Sequence, residues 1–122
     1  MKNLEAKQAA AMSMVGEVHR DGCAEINGRE YKFNKTVHKK RRKVYAFLTK
    51  VGGQIQEGDM SFLDTDDWDK VETVIGDIVT FDGMQLNKID GHWDKYPEDY
   101  VLFVQTALGA ISYPFLAGSG GA

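Results

Sequence analysis

A single thiol, Cys23, is all the cysteine this chain has. No disulfide can close within it, and a reducing compartment is its natural setting. Long hydrophobic runs are missing as well. No apolar stretch approaches the roughly 20 residues that a membrane span needs. The stretch AAAMSMV near the start lacks the Leu-rich run of a signal peptide, and Glu5 stands between Lys2 and Lys7 in front of it. A cytosolic protein is therefore expected. An excess of positive charge is absent too: the formal net charge is −3. A nucleic-acid binder with that balance would have to gather its cations on one face.

Motifs that carry chemistry are also absent. The sequence has no G-x-S-x-G, no P-loop and no dinucleotide fingerprint. His19, His38, His92 and Cys23 show no metal-ligand spacing. DTDDWD, from Asp64, suggests a calcium loop, but the sixth and twelfth places of that template hold Asp69 and Ile75 instead of glycine and glutamate. These acids are better explained as a helix start. No catalytic residue, metal ligand or cofactor is expected.

What is present reads as one domain of ordinary composition, with 43% hydrophobic and 27% charged residues in a chain of 122. Residues 1–20 read as a flexible leader with some helical tendency and no evident apolar face. CAEINGREYKF predicts a hairpin over about residues 23–33, because Asn27-Gly28 suits a two-residue turn with positive φ at both positions. Asn34 or Thr36 can then cap a helix whose apolar residues are Val37, Val44, Phe47, Leu48 and Val51, and Gly52-Gly53 is expected to end it.

A loop over 54–63 leads to a second helix. Asp64 or Thr65 caps it, Trp68, Val71, Val74, Ile75, Ile78 and Val79 form its stripe, and Asp82-Gly83 stops it. Residues 84–96 are ambiguous between a helical turn and an extended piece. Pro97 opens a last helix with Tyr100, Phe103, Val104, Ala107, Leu108 and Ile111 on its inner side, and Pro114 is expected to end it. The predicted fold is α+β, mainly helical: an N-terminal β-hairpin followed by about three amphipathic α-helices over residues 21–116. A flexible small-residue tail, 117–122, completes it.

The most unusual stretch is VHKKRRKVYAFLTKVGG, which sets five cations, Lys39, Lys40, Arg41, Arg42 and Lys43, at the start of a helix. There they oppose the macrodipole, at a few tenths of a kcal/mol each. Phosphates, an acidic partner or the chain's own acidic segment 57–72 could compensate them. No helix-turn-helix spacing, zinc ligand set or RNP-like strand accompanies them, so nucleic acid is disfavoured. SYPF, at the end of the last helix, places Tyr113 and Phe115 either back on the core or outward as anchors for a partner.

INGREYKF, KRRKVYAFLTKVG, WDKVETVIGDIVTFDG and YPEDYVLFVQTALGAISYPF follow one another over about residues 23–118. In that order they resemble the small tail assembly chaperones of long-tailed bacteriophages. Those proteins share a short x-x-G-x-x-Y/F hairpin, a basic-led helix, and a last helix with a small-residue tail; the leader here is longer than theirs. The resemblance implies a non-enzymatic protein of the host cytoplasm that binds the tape measure protein and recruits tail tube protein. It also implies a frameshifted extension beginning near LAGSGGA. Lys39 to Lys43, with Tyr113 and Phe115, are then expected to bind partners, and self-association is open. A small DNA-binding regulator using the basic helix 37–51, and a structural tail or head-tail joining component, are the alternatives.

Overall fold

The computed structural model describes residues 2–120, and side chains for residues 9–116. It is mainly helical with a small antiparallel sheet. Helix α1 (Lys2–Asp21) is followed by strands β1 (Cys23–Ile26) and β2 (Arg29–Phe33) and then by helices α2 (His38–Gln56) and α3 (Asp66–Ile78). Strands β3 (Val79–Phe81) and β4 (Met84–Gln85) come next, then the short helix α4 (His92–Lys95) and helix α5 (Tyr100–Gly120).

The expected hairpin forms, with Asn27 at φ 52° and Gly28 at φ 81° in its turn. Asp82-Gly83 has the same geometry, φ 53° and 79°, so it closes a second hairpin. Helix α3 stops earlier, at Ile78, and Val79 starts β3. Pairing of Phe33 with Val79 and Tyr31 with Phe81 joins the two hairpins into one sheet of order β1-β2-β3-β4. A two-strand ribbon is marginal alone, and this junction supplies the missing strands.

Three further helix boundaries differ from the sequence expectation. Within the expected leader, residues 2–20 are helical, because α1 covers Lys2–Asp21 and packs along α5; residue 1 lies outside the described residues. Ala11 is buried in that contact, and a Cβ on Gly109 would fall 2.8 Å from Val15 Cγ2, so glycine lets the two helices approach. Helix α2 passes through Gly52-Gly53 and ends one turn later. There Gly58 N–H donates to Ile55 O and Asp59 N–H donates to Gln54 O, the paired bonds of a Schellman motif with Gly58 at φ 81°. Helix α5 continues through Pro114 to Gly120. The expected flexible tail is thus helical backbone as far as Gly120, and 121–122 lie outside the described residues.

Capping also differs at α2. Its N-cap is Val37, with no side-chain cap bond. Asn34 instead donates to Ile78 O at 2.9 Å and holds the start of β3. Thr65 does cap α3, accepting from Trp68 N–H at 3.2 Å.

The core lies where α5 meets α1 and α2. Val104, Ala107 and Leu108 are fully buried there, joined by Val44 and Val51 of α2 and by Ile75 and Ile78 of α3. Trp68, Phe47 and Phe62 interlock at 5.5–5.7 Å between ring centroids. Residues 84–96 resolve into β4, a 3-10 turn (Leu86–Lys88) and α4. No helix among the described residues is long and apolar enough to cross a membrane.

Candidate interaction surface

Two polar constellations stand out, one buried and one exposed. The buried one joins the first hairpin to the start of α5. Asp99 has no exposed surface, and its carboxylate accepts from Asn27 Nδ2 at 2.7 Å, Arg29 Nε at 2.6 Å and Tyr31 Oη at 2.7 Å. Arg29 also donates to Glu98 at 2.7 Å, and its guanidinium lies 4.2 Å from the Tyr96 ring centroid.

Tyr31 donates its proton to Asp99, so its oxygen accepts from His92 Nε2–H at 2.8 Å. Neutral His92 is therefore the Nε2–H tautomer. Burial pushes the Asp99 carboxyl up, but the bonds from Arg29, Asn27 and Tyr31 outweigh it and bring its pKa to about 2. Burial raises the Tyr31 phenol and lowers the His92 imidazole. Nothing in the sequence pointed to this network, since its members lie about 70 positions apart. It holds the hairpin turn to the head of α5, and no hydroxyl or thiol in it is free to attack a substrate.

The exposed constellation is the basic helix α2, where the five cations divide by role. Arg41 is half-buried and donates to Ile111 O at 3.0 Å. That bond ties α2 to α5 in the turn before Pro114. Lys40 pairs with Asp77 of α3 at 3.6 Å. Lys39, Arg42 and Lys43 are exposed and have no ion pair among the described residues. The acidic segment 57–72 supplies only one partner to α2, Asp67, which pairs with Lys50 at 2.7 Å.

Tyr113 and Phe115 are half-buried. Tyr113 packs on His19 at 4.4 Å, and Phe115 packs on Tyr45 at 5.0 Å and His38 at 5.7 Å. Phe115 is thereby brought to the head of the basic helix, while Tyr113 turns toward α1.

Beside the cations runs a groove of about 390 Å3 between α2 and α3. Phe47, Val71 and Val74 give it an apolar floor, and Lys43, Lys50 and Lys70 line its edges together with Asp67. Lys39, Lys43, Ala46 and Lys50 follow one another at steps of four, three and four, a single line along α2. That spacing was visible in the sequence; its pairing with Lys70 and Val74 of α3 was not. No family model, no curated protein and no solved structure matches this chain.

Proposed function

We propose that this protein is a non-enzymatic tail assembly chaperone of a long-tailed phage, binding tape measure and tail tube proteins in the host cytoplasm. One observation carries the reading. Lys39, Arg42 and Lys43 stand exposed and without ion-pair partners among the described residues, in the first two turns of α2, with Lys39 in the first turn, where the helix dipole is already positive. A face that spends local stability on uncompensated charge is suited to an acidic partner. The order of hairpin, basic helix and apolar last helix, which resembles the chaperone family, supports the same assignment.

Affinity capture of the tagged protein from cells expressing its neighbouring genes, with nuclease in the wash, tests it. Recovery of a very long helical protein or of a tube subunit, reduced by Lys39→Glu with Arg42→Glu, is the expected result. Loss of all captured material on nuclease treatment would move the assignment to a DNA-binding regulator. A discrete ring or tube formed by the protein alone would move it to a structural virion component.

A further inference from the structure

We infer that the α2–α3 groove is the docking site for an acidic amphipathic helix of a partner protein. The inference deepens the interaction role proposed above and does not require the partner to be a phage protein. It begins with the distribution of charge around the groove. The seam between α2 and α3 carries two ion pairs, Lys40 with Asp77 and Lys50 with Asp67. Here Lys43 and Lys50 of α2 and Lys70 of α3 line the same groove, and the one carboxylate among the lining residues, Asp67, is already paired with Lys50. The lining thus carries a surplus of two positive charges, three Lys against one Asp, and Lys39 and Arg42 extend it one turn up α2.

Between these charges the groove is apolar. Phe47 and Val71 form a buried base, with Val74 half-exposed and Ala46 exposed beside them. Alanine at 46 leaves the middle of the α2 wall low between Lys43 and Lys50. A basic edge around an apolar floor is complementary to a helix with leucine-like residues at i, i+3, i+4 and i+7 and carboxylates on both flanks. The line from Lys39 to Lys50 is about 16 Å long, enough to face three helical turns.

Nucleic acid fits less well. A phosphate backbone would satisfy the lysines but leave the apolar floor with nothing to cover it. The acidic first turn of α3 in a second copy offers Asp66 and Asp69 but no exposed apolar residue among them, since Trp68 is buried.

The test uses fluorescence anisotropy with the full chain and a stapled helical peptide of about 14 residues, with Leu on one face and Glu on its flanks. A scrambled peptide of identical composition and a short DNA duplex serve as alternative probes. The amphipathic peptide is expected to bind at least about tenfold more tightly than the scrambled one and to weaken with salt. Lys43→Glu with Lys70→Glu, both exposed positions, should reduce its affinity about tenfold or more while the circular dichroism and thermal midpoint stay unchanged. Val74→Ser should weaken the peptide and leave any duplex binding as it was.

Equal binding of the scrambled peptide, indifference to the charge reversals, or preference for the duplex would overturn the inference. So would a dimer in sedimentation that the charge reversals dissolve, because the occupant would then be a second copy. Peptide binding without recovery of any tail protein in the capture experiment would sink the phage assignment and leave the groove standing. The reverse pattern would sink the groove alone.

Discussion

Replacing Asp99 by asparagine perturbs the knot between the first hairpin and α5 with almost no change in shape. The amide keeps one acceptor oxygen and turns the other into a donor, so Arg29 loses its buried charge partner and either Asn27, which donates to Oδ1, or Tyr31, which donates to Oδ2 with Arg29 Nε, meets an N–H instead of an acceptor. Breaking a buried ion pair from one side costs roughly 3–5 kcal/mol. Arg29 keeps Glu98 and a side chain 24% exposed, so the low end applies, about 3 kcal/mol. For a domain of this size that lowers the thermal midpoint by roughly 10 °C.

Part of the cost depends on pH, and its sign follows from the direction of the shift. The folded pKa of Asp99, about 2, lies below its ordinary value of 3.8. The carboxylate therefore contributes its stability in full above about pH 4 and loses it as pH falls through 2; this part is about 2 kcal/mol. Urea unfolding of wild type and Asp99→Asn, followed by circular dichroism from pH 7 to pH 2, measures both parts. The gap should be about 3 kcal/mol at pH 7 and should narrow steadily below pH 4. A gap under about 1 kcal/mol at pH 7, the worth of an ordinary surface pair, or one that ignores pH, would refute the reasoning.

Other substitutions separate structural from exposed groups. Arg41→Ala should cost about 1.5–2 kcal/mol in urea unfolding, the worth of a charged donor to a partly buried carbonyl, whereas Lys39→Ala should stay within about 0.5 kcal/mol of wild type. Gly76→Ala should destabilise, because its Cβ would fall 2.6 Å from Asn87 Cγ, whose amide is held by Thr73 O and Asp77 Oδ1. In an Asn87→Ala background the same change should reverse sign and stabilise α3 by up to about 1 kcal/mol, the helix preference of alanine over glycine. His92 has a lowered pKa through burial, so its neutral form supports the fold above pH 6.5 and wild type should lose stability as pH falls below that value. His92→Gln keeps an N–H for Tyr31, and its thermal midpoint should show less of that loss between pH 7 and pH 5.

Local signals in the sequence were legible where the chain decides its own conformation. Asn27-Gly28 specified a hairpin, Thr65 a cap, and Pro97 the approach to α5, because each acts within a few residues. The same Asp-Gly signal at 82–83 was obscured by Ile78 and Val79, which extend the period of α3 past its end. Only pairing with Phe33, far off in the sequence, pulls Val79 into a strand. Helix α1 was missed although Ala11, Met14, Val15 and Val18 repeat at helical spacing. Small side chains make a weak stripe, and its meaning depends on Gly109 opening a place for it. Of the candidate surface, the run of cations was plain, but its division into structural and free members was not. Which lysine meets Asp77, and which arginine meets the Ile111 carbonyl, is settled by the packing of α2 on α3 and α5.

The position of α5 has a consequence for the birth of the protein. Helix α5, which meets both α1 and α2 at the core, is translated after every element it stabilises, α1 above all. At roughly 5–20 residues per second, α1 leaves the ribosome several seconds before its partner exists. Throughout that interval the hairpins and α2 have no finished interior to fold onto. The nascent chain must wait for α5, and a message cut short before Tyr100 yields a polypeptide that keeps the Phe47–Phe62–Trp68 contacts and the sheet but leaves α1 without the helix it packs along.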